Sequence, residues 1–185
     1  MKRLFIAINI PPDIKKRIEE IIEDSKAEIR FLPPENWHLT ISFLGYQPDE
    51  AVSPIIESLK ETAEYFPAPL IVFDKTIFGP PAKPARMIWL ISPKEISQNL
   101  DKIKNYLEDS LAKNRVSFQR ENRAFNNHLT LVRFQRDSMP NLADIKLPPI
   151  DLIKFQAQNL DLMESHLKRT GAEYEILTSI NFKVL

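Results

Sequence analysis

One duplication constrains this chain more than any other feature. The tetrapeptide His38-Leu39-Thr40-Ile41 returns as His128-Leu129-Thr130-Leu131, 90 residues later in a chain of 185. Two of only three histidines lie in these copies. From average residue usage, such a coincidence arises about once in ten thousand by chance. The surroundings repeat as well: strand, helix, loop and strand run from Leu4 to Leu44 and again from Met87 to Phe134. Two copies are too few for a solenoid. The duplication therefore predicts one domain, residues 1–185, of two pseudo-equivalent lobes. Its class is α+β, each lobe an antiparallel-rich sheet with outer helices, and the site lies in the cleft between them.

The segments are readable by period and punctuation. Leu4 to Ile10 is apolar, interrupted by Asn9 and bounded by Pro11-Pro12. It reads as a buried strand and not a signal peptide, because no small-residue cleavage site follows. Ile14, Ile18, Ile21, Ile22 and Ile29 then share a helical face. Trp37 to Leu44 is a strand closed by Gly45. Ser53-Pro54 opens a second helix carrying Ile55, Ile56, Leu59, Ala63 and Phe66. Leu70 to Phe78 and Met87 to Ile91 are strands around Gly79-Pro80-Pro81. Ser92-Pro93-Lys94-Glu95 predicts a capping box, followed by the stripe Ile96, Leu100, Ile103, Leu107 and Leu111. His128 to Phe134, Leu152 to Met163 and Tyr174 to Leu185 complete the strands.

Composition removes several functions. There is no cysteine, so thiolate nucleophiles, thiolate metal sites and disulfides are excluded. Three glycines against 15 prolines leave no P-loop and no dinucleotide fingerprint. Lys+Arg and Asp+Glu are 25 each, so any attraction to an anionic partner is local. No apolar run approaches the ~18 residues of a membrane helix. The expected setting is the cytoplasm, without membrane partners, and the expected state is a monomer.

Alternation along a strand places His38 and Thr40 on one face and Leu39 and Ile41 on the other. His128 and Thr130 follow the same rule. A cleft built on these faces offers two imidazoles and two hydroxyls, with no carboxylate at the matched positions. Imidazoles titrate near neutrality and suit an acid and a base. Hydroxyls suit an anion with several oxygens, and a phosphodiester needs this inventory. Two histidines supply too few ligands for a standard zinc site, so no metal and no cofactor are expected. The alternative is a pair of sheet histidines beside β-branched strand residues.

The sequence resembles the two-histidine phosphoesterases, whose paired H-x-T-x signatures appear here as HLTI and HLTL. The blocks RLFIAINIPPDI, ENWHLTISFLG, PARMIWL, FNNHLTLVRF and ESHLKRTGAEYEIL resemble the RNA 2′,3′-cyclic phosphodiesterase branch, also called the 2′-5′ RNA ligase family. The resemblance implies that His38 donates a proton to the leaving ribose oxygen and that His128 activates water. It implies that Thr40 and Thr130 hold phosphate oxygens, and that the product is a 2′-phosphate made without metal. It also matches Arg133 to a phosphate-side arginine and Phe43 to a base-side aromatic. Strand parity alone puts both on the core face, unless the strands bend. Asn127 departs from the family's usual proline before the second histidine.

The implied partners are RNA 3′ ends or small cyclic nucleotides. The alternatives are 2′-5′ RNA ligation, hydrolysis of another cyclic nucleotide or 2′-5′ linkage, and a non-catalytic RNA-end binding module. Six cations between Lys113 and Arg136 (Lys113, Arg115, Arg120, Arg123, Arg133, Arg136) stand against the single anion Glu121. They are either an RNA-backbone surface or solvated arginines. Phe118, Phe125, Trp37 and Trp89 read as core, and His166 as a surface residue near a sheet edge.

Overall fold

A computed structural model describes residues 1–25, 29–81, 84–121, 125–135, 139–168 and 171–183. Nine strands and three α-helices are defined among them. They are β1 (Lys2–Asn9), α1 (Pro12–Ile22), β2 (His38–Gln47), α2 (Val52–Tyr65), β3 (Leu70–Phe73), β4 (Lys75–Gly79), β5 (Met87–Ile91), α3 (Lys94–Lys113), β6 (His128–Arg133), β7 (Ile153–Gln156), β8 (Asn159–Lys168) and β9 (Gly171–Asn181). The fold is α+β, with a seven-stranded antiparallel sheet ordered β4-β5-β6-β2-β1-β8-β9 and a small β3-β7 sheet.

The two halves of the chain meet inside the large sheet. β2 and β6, which carry the duplicated motifs, pair antiparallel at Leu39 and Leu129. Both leucines are fully buried. One hydrophobic core runs beneath both halves and includes Ile6, Ile8 and Leu39 from one, Leu90, Leu107 and Leu129 from the other. Ile14, Ile18 and Ile22 of α1 and Leu100, Leu107 and Leu111 of α3 cover that side. The opposite side of the sheet carries the histidines and threonines.

Several predicted segments differ in their limits. α1 ends at Ile22, so Ile29 is buried from a later segment and not from the helix. β2 runs past Gly45, whose φ of 71° is accommodated at a bulge opposite Leu4 and Phe5. The predicted strand Leu70 to Phe78 is two strands divided at Asp74. β3 joins β7, whereas β4 joins the large sheet. The segment Leu152 to Met163 likewise divides into β7 and the start of β8, and the last strand begins at Gly171. An apolar run cannot reveal such divisions, since either sheet buries the same residue types.

The capping box does not form. α3 starts at Lys94 with Pro93 as its N-cap and without a side-chain cap. Ser92 lies one residue outside, and its hydroxyl accepts a hydrogen bond from Asn127 Nδ2 at 2.6 Å.

A buried ion pair ties α3 to β2. Lys104 Nζ lies 2.8 Å from Glu108 Oε1, and both side chains are almost fully enclosed. The hydroxyl of Ser42 donates to the same carboxylate oxygen at 2.9 Å. Removing only one charge strands the other in a low-dielectric interior. Lys104→Met should therefore destabilise the protein by ~3 kcal/mol or more. The pair Lys104→Met with Glu108→Leu should recover much of that loss. Urea denaturation of the single and double variants measures both, and an additive double variant would refute the coupling.

Candidate active site

Continuing the register from Leu39–Leu129 by one residue sets His38 beside Thr130 and Thr40 beside His128. A local two-fold axis thus relates the two motifs. Each imidazole is fixed in the same way. His38 Nδ1 lies 2.8 Å from the carbonyl oxygen of Asn36, and His128 Nδ1 lies 2.8 Å from that of Asn126. A carbonyl only accepts, so Nδ1–H donates and Nε2 is left as the titrating nitrogen.

The expectation that Phe43 and Arg133 point into the core is overturned by a pair of bulges. Along β1 and β2, Ala7 pairs with Thr40 but Ile6 pairs with Ser42, leaving Ile41 extra. Along β5 and β6, Trp89 pairs with Thr130 but Ile88 pairs with Val132, leaving Leu131 extra. Ile41-Ser42 and Leu131-Val132 are accordingly buried in succession. An extra residue reverses the alternation beyond it. Phe43, pairing with Phe5, and Arg133, pairing with Met87, therefore emerge on the histidine face. Phe43 is 54% exposed and Arg133 is exposed too. The bulges sit at the same position of each copy, so the duplication extends to this irregularity.

The two rings have different neighbours. His38 meets the edge of Tyr174 at a centroid separation of 4.8 Å and lies 5.0 Å from Phe5. His128 is stacked on Trp89 at 3.9 Å with 26° between the planes. Trp89 is buried as expected, but it packs beneath a site residue instead of filling the common core. Its other side lies against Gly79, where a Cβ would come within 2.4 Å of the indole. Its Nε1 is buried with no hydrogen-bond partner among the described residues.

Asn127 anchors the approach to His128. It is buried, its Nδ2 bonds Ser92, and its backbone N–H donates to Ser97 Oγ at 3.3 Å. In the other copy Trp37 occupies the corresponding place, fully in the core as expected, with its Nε1 donating to the Leu32 carbonyl. Side-chain hydrogen bonds thus hold the residue before each histidine, joined in the first copy by the packing of a large indole.

The electrostatics of His38 are dominated by its burial. Burial lowers its pKa to about 4, against the opposing effect of the Asn36 hydrogen bond. Repulsion from His128, Lys15 and Arg133 lowers it further. Lys15 on α1 is thus a cation of the site that its place between isoleucines did not reveal. Burial in turn pushes its own pKa down. Asn9 and Asp161 also escaped sequence reading. Asn9 pairs with His38 across β1 and β2, and its Nδ2 donates to Asp161 Oδ2 at 2.7 Å. The signal was present: Asn9 interrupts an apolar strand, and Asp161 stands between Leu160 and Leu162.

The basic segment divides. Lys113 pairs with Glu61 and Arg120 with Asp109, so these two serve the helices. Among the described members, Arg133 joins the site face. Arg123 and Arg136 lie outside the described residues. Phe118 and Phe125 pack on the core as expected, and His166 is a surface residue of β8, 3.3 Å from Glu175. Among the described residues, no helix is long and apolar enough to cross a membrane.

With this geometry in place, comparison with known proteins is specific. Residues 8–89 match the model of the LigT-like phosphoesterase family. The RNA 2′,3′-cyclic phosphodiesterase of Thermotoga maritima is 29% identical, covering 98% of this chain and 96% of its own. That of Methanocaldococcus jannaschii is also 29% identical, over 95% and 98%. The structure of Escherichia coli LigT complexed with 3′-AMP superposes with a TM-score of 0.71 at 24% identity, covering 98% of both chains. That likeness concerns the fold. The fold is that of the LigT structure, and the relatives are named RNA 2′,3′-cyclic phosphodiesterases. Over residues 8–89, and along nearly the whole chain in these relatives, the sequence is similar to the LigT-like phosphoesterases.

Two outcomes follow from the site. Gly79→Ala must displace the Trp89 indole and so disturb His128. It should lower turnover about tenfold or more while leaving substrate affinity nearly unchanged, as steady-state kinetics would show. Unchanged turnover would mean that the stack does not control the ring. For His38, the neutral form is the one the fold favours. Its contribution to stability is complete above ~6.5 and is lost as pH falls through about 4. Thermal melting from pH 8 to pH 4 should therefore fall less steeply in His38→Gln than in the parent.

Proposed function

We propose that this protein hydrolyses RNA 2′,3′-cyclic phosphate ends to 2′-phosphates by acid–base catalysis between His38 and His128. The observation that carries this reading is the mirrored pair of imidazoles. Both are locked through Nδ1, and each has a threonine of the other copy alongside. The two-histidine family and its curated relatives support the phosphodiesterase activity.

The cyclic phosphate rests between the hydroxyls of Thr40 and Thr130, with Arg133 and Lys15 supplying positive charge. Nε2 of His128 takes a proton from water as the water oxygen attacks phosphorus. The bond from phosphorus to O3′ breaks, and Nε2–H of His38 supplies the proton that O3′ needs. Phe43 offers an aromatic surface to the terminal base. No metal ion takes part.

The depressed pKa of His38 shapes this cycle. In the substrate-free protein at neutral pH its ring is unprotonated. A bound phosphodiester brings a negative charge into the group of cations that repel the imidazolium, which favours protonation. His38 therefore acquires its proton together with the substrate. An acid held against its tendency to deprotonate is well suited to protonating a poor leaving group. The protein acts as a monomer in the cytoplasm.

The test is turnover of an RNA ending in 2′,3′-cyclic phosphate, in excess EDTA, with product identified as 2′- or 3′-phosphate. Activity should persist in chelator. His38→Ala and His128→Ala should each lose a factor of ~10² or more while remaining folded. Absence of turnover by the parent protein would favour an end-binding module. A folded His128→Ala with near-normal turnover would remove the base from this scheme.

A further inference from the structure

The strand registers arrange the histidine face of β2, β1, β8 and β9 in cross-strand rows. The first row beyond His38 is polar: Thr40, Ala7, Asp161 and Ser179 are successive partners. The next row is apolar, formed by Phe43, Phe5, Met163 and Ile176. Beyond it, Tyr46 pairs with Arg3, and Ser165 with Tyr174. Each same-face step along a strand is ~6.8 Å. Phe5 and Phe43 lie 6.2 Å apart within the apolar row, and Phe5 meets Tyr174 of the next row at 5.3 Å.

The exposure of this face is unusual. Phe43 is 54% exposed, Tyr46 63%, Ile176 50% and Leu167 65%. All four lie on this side, since Leu167 follows Ser165 by two residues on β8. Apart from the buried Asp161 of the polar row, the carboxylates of β8 and β9 lie on the other side. Glu164 pairs with Glu175 and His166 with Glu173, out of phase with the aromatic row. Arg3 is exposed in the same row as Tyr46. The outer rows are therefore aromatic and aliphatic with one cation and no exposed carboxylate among the described residues named here. They begin directly beside the site.

We infer that this face is a track for single-stranded RNA. The terminal base sits at Phe43, the next nucleotide toward the 5′ side stacks on Tyr46, and Arg3 contacts the connecting phosphate. The inference rests on the proposed action at RNA 3′ ends. Continuity with Thr40 and His38, aromatic faces at successive steps and a cation beside Tyr46 select a nucleotide chain as the occupant. Aromatic stacking tolerates any base, so the track adds length preference and no sequence preference. A phosphate contact by Arg3 makes the added affinity dependent on salt.

The experiment compares a mononucleoside 2′,3′-cyclic phosphate with an RNA trinucleotide ending in the same group. Both residues are exposed, so Tyr46→Ala and Arg3→Ala should fold like the parent. Tyr46→Ala should raise KM for the trinucleotide about tenfold and leave the mononucleotide constants unchanged. Arg3→Ala should raise the same KM and flatten its dependence on salt. Tyr65→Ala, an exposed aromatic of α2, should affect neither substrate. Equal effects on both substrates, or none on either, would overturn the track. Should the parent hydrolyse neither substrate, the proposed activity fails separately. Fluorescence anisotropy of a labelled trinucleotide with a 3′-hydroxyl then tests the track: weaker binding by Tyr46→Ala supports it, and equal binding refutes it.

Discussion

The site depends on the pairing of Leu39 with Leu129 at the seam of the large sheet. Both leucines point into the shared core, and period-two alternation turns their neighbours outward. That places a histidine and a threonine from each copy on the same open surface. A shift of one residue in either strand would send one histidine into the core and a leucine into the site. Burial of the two leucines therefore enforces the register that brings the imidazoles together. Hydrophobic packing on one face thus determines chemistry on the other.

The bulges extend this principle. Ile41 and Leu131 are extra residues that the core accepts, and the alternation reverses after them. Phe43 and Arg133 consequently join the surface occupied by His38 and His128. The bulge in β2 is further secured by Ser42, whose hydroxyl reaches the buried Glu108–Lys104 pair of α3. Its counterpart in β6 is Val132, which packs without a polar tie. The same geometry is therefore held by different interactions in the two halves. Such divergence is open to a duplicated fold because only the backbone course must be preserved.

A similar asymmetry surrounds the imidazoles. Their Nδ1 atoms are held identically by backbone carbonyls, yet His38 lies among ring edges and His128 lies flat on an indole. Burial and neighbouring cations hold His38 well below its ordinary pKa. Equal tautomers with unequal surroundings would suit the separate acid and base roles proposed for them. Trp89 occupies the place that Ala7 takes in the other half, since these residues pair with Thr130 and Thr40 respectively. The tryptophan supports one histidine, and the alanine row lies beside Asp161 and Asn9 of the other.

The sequence by itself determined the α+β class, the repeated motif and the placing of His38, Thr40, His128 and Thr130 on one face. Repetition and alternation are local properties, visible without knowing what packs on what. It also carried the resemblance that pointed to Phe43 and Arg133, although alternation argued against their placement. Only the tertiary structure decided that both face the site. A bulge leaves two successive buried residues, and Ile41-Ser42 or Leu131-Val132 look like ordinary strand sequence. The division of Leu70 to Phe78 between two sheets was equally hidden, because each sheet buries similar side chains. The contributions of Lys15, Asn9, Asp161 and Trp89 come from strands and a helix remote in sequence. Their roles arise from cross-strand register and from charge acting through space, which no linear pattern encodes.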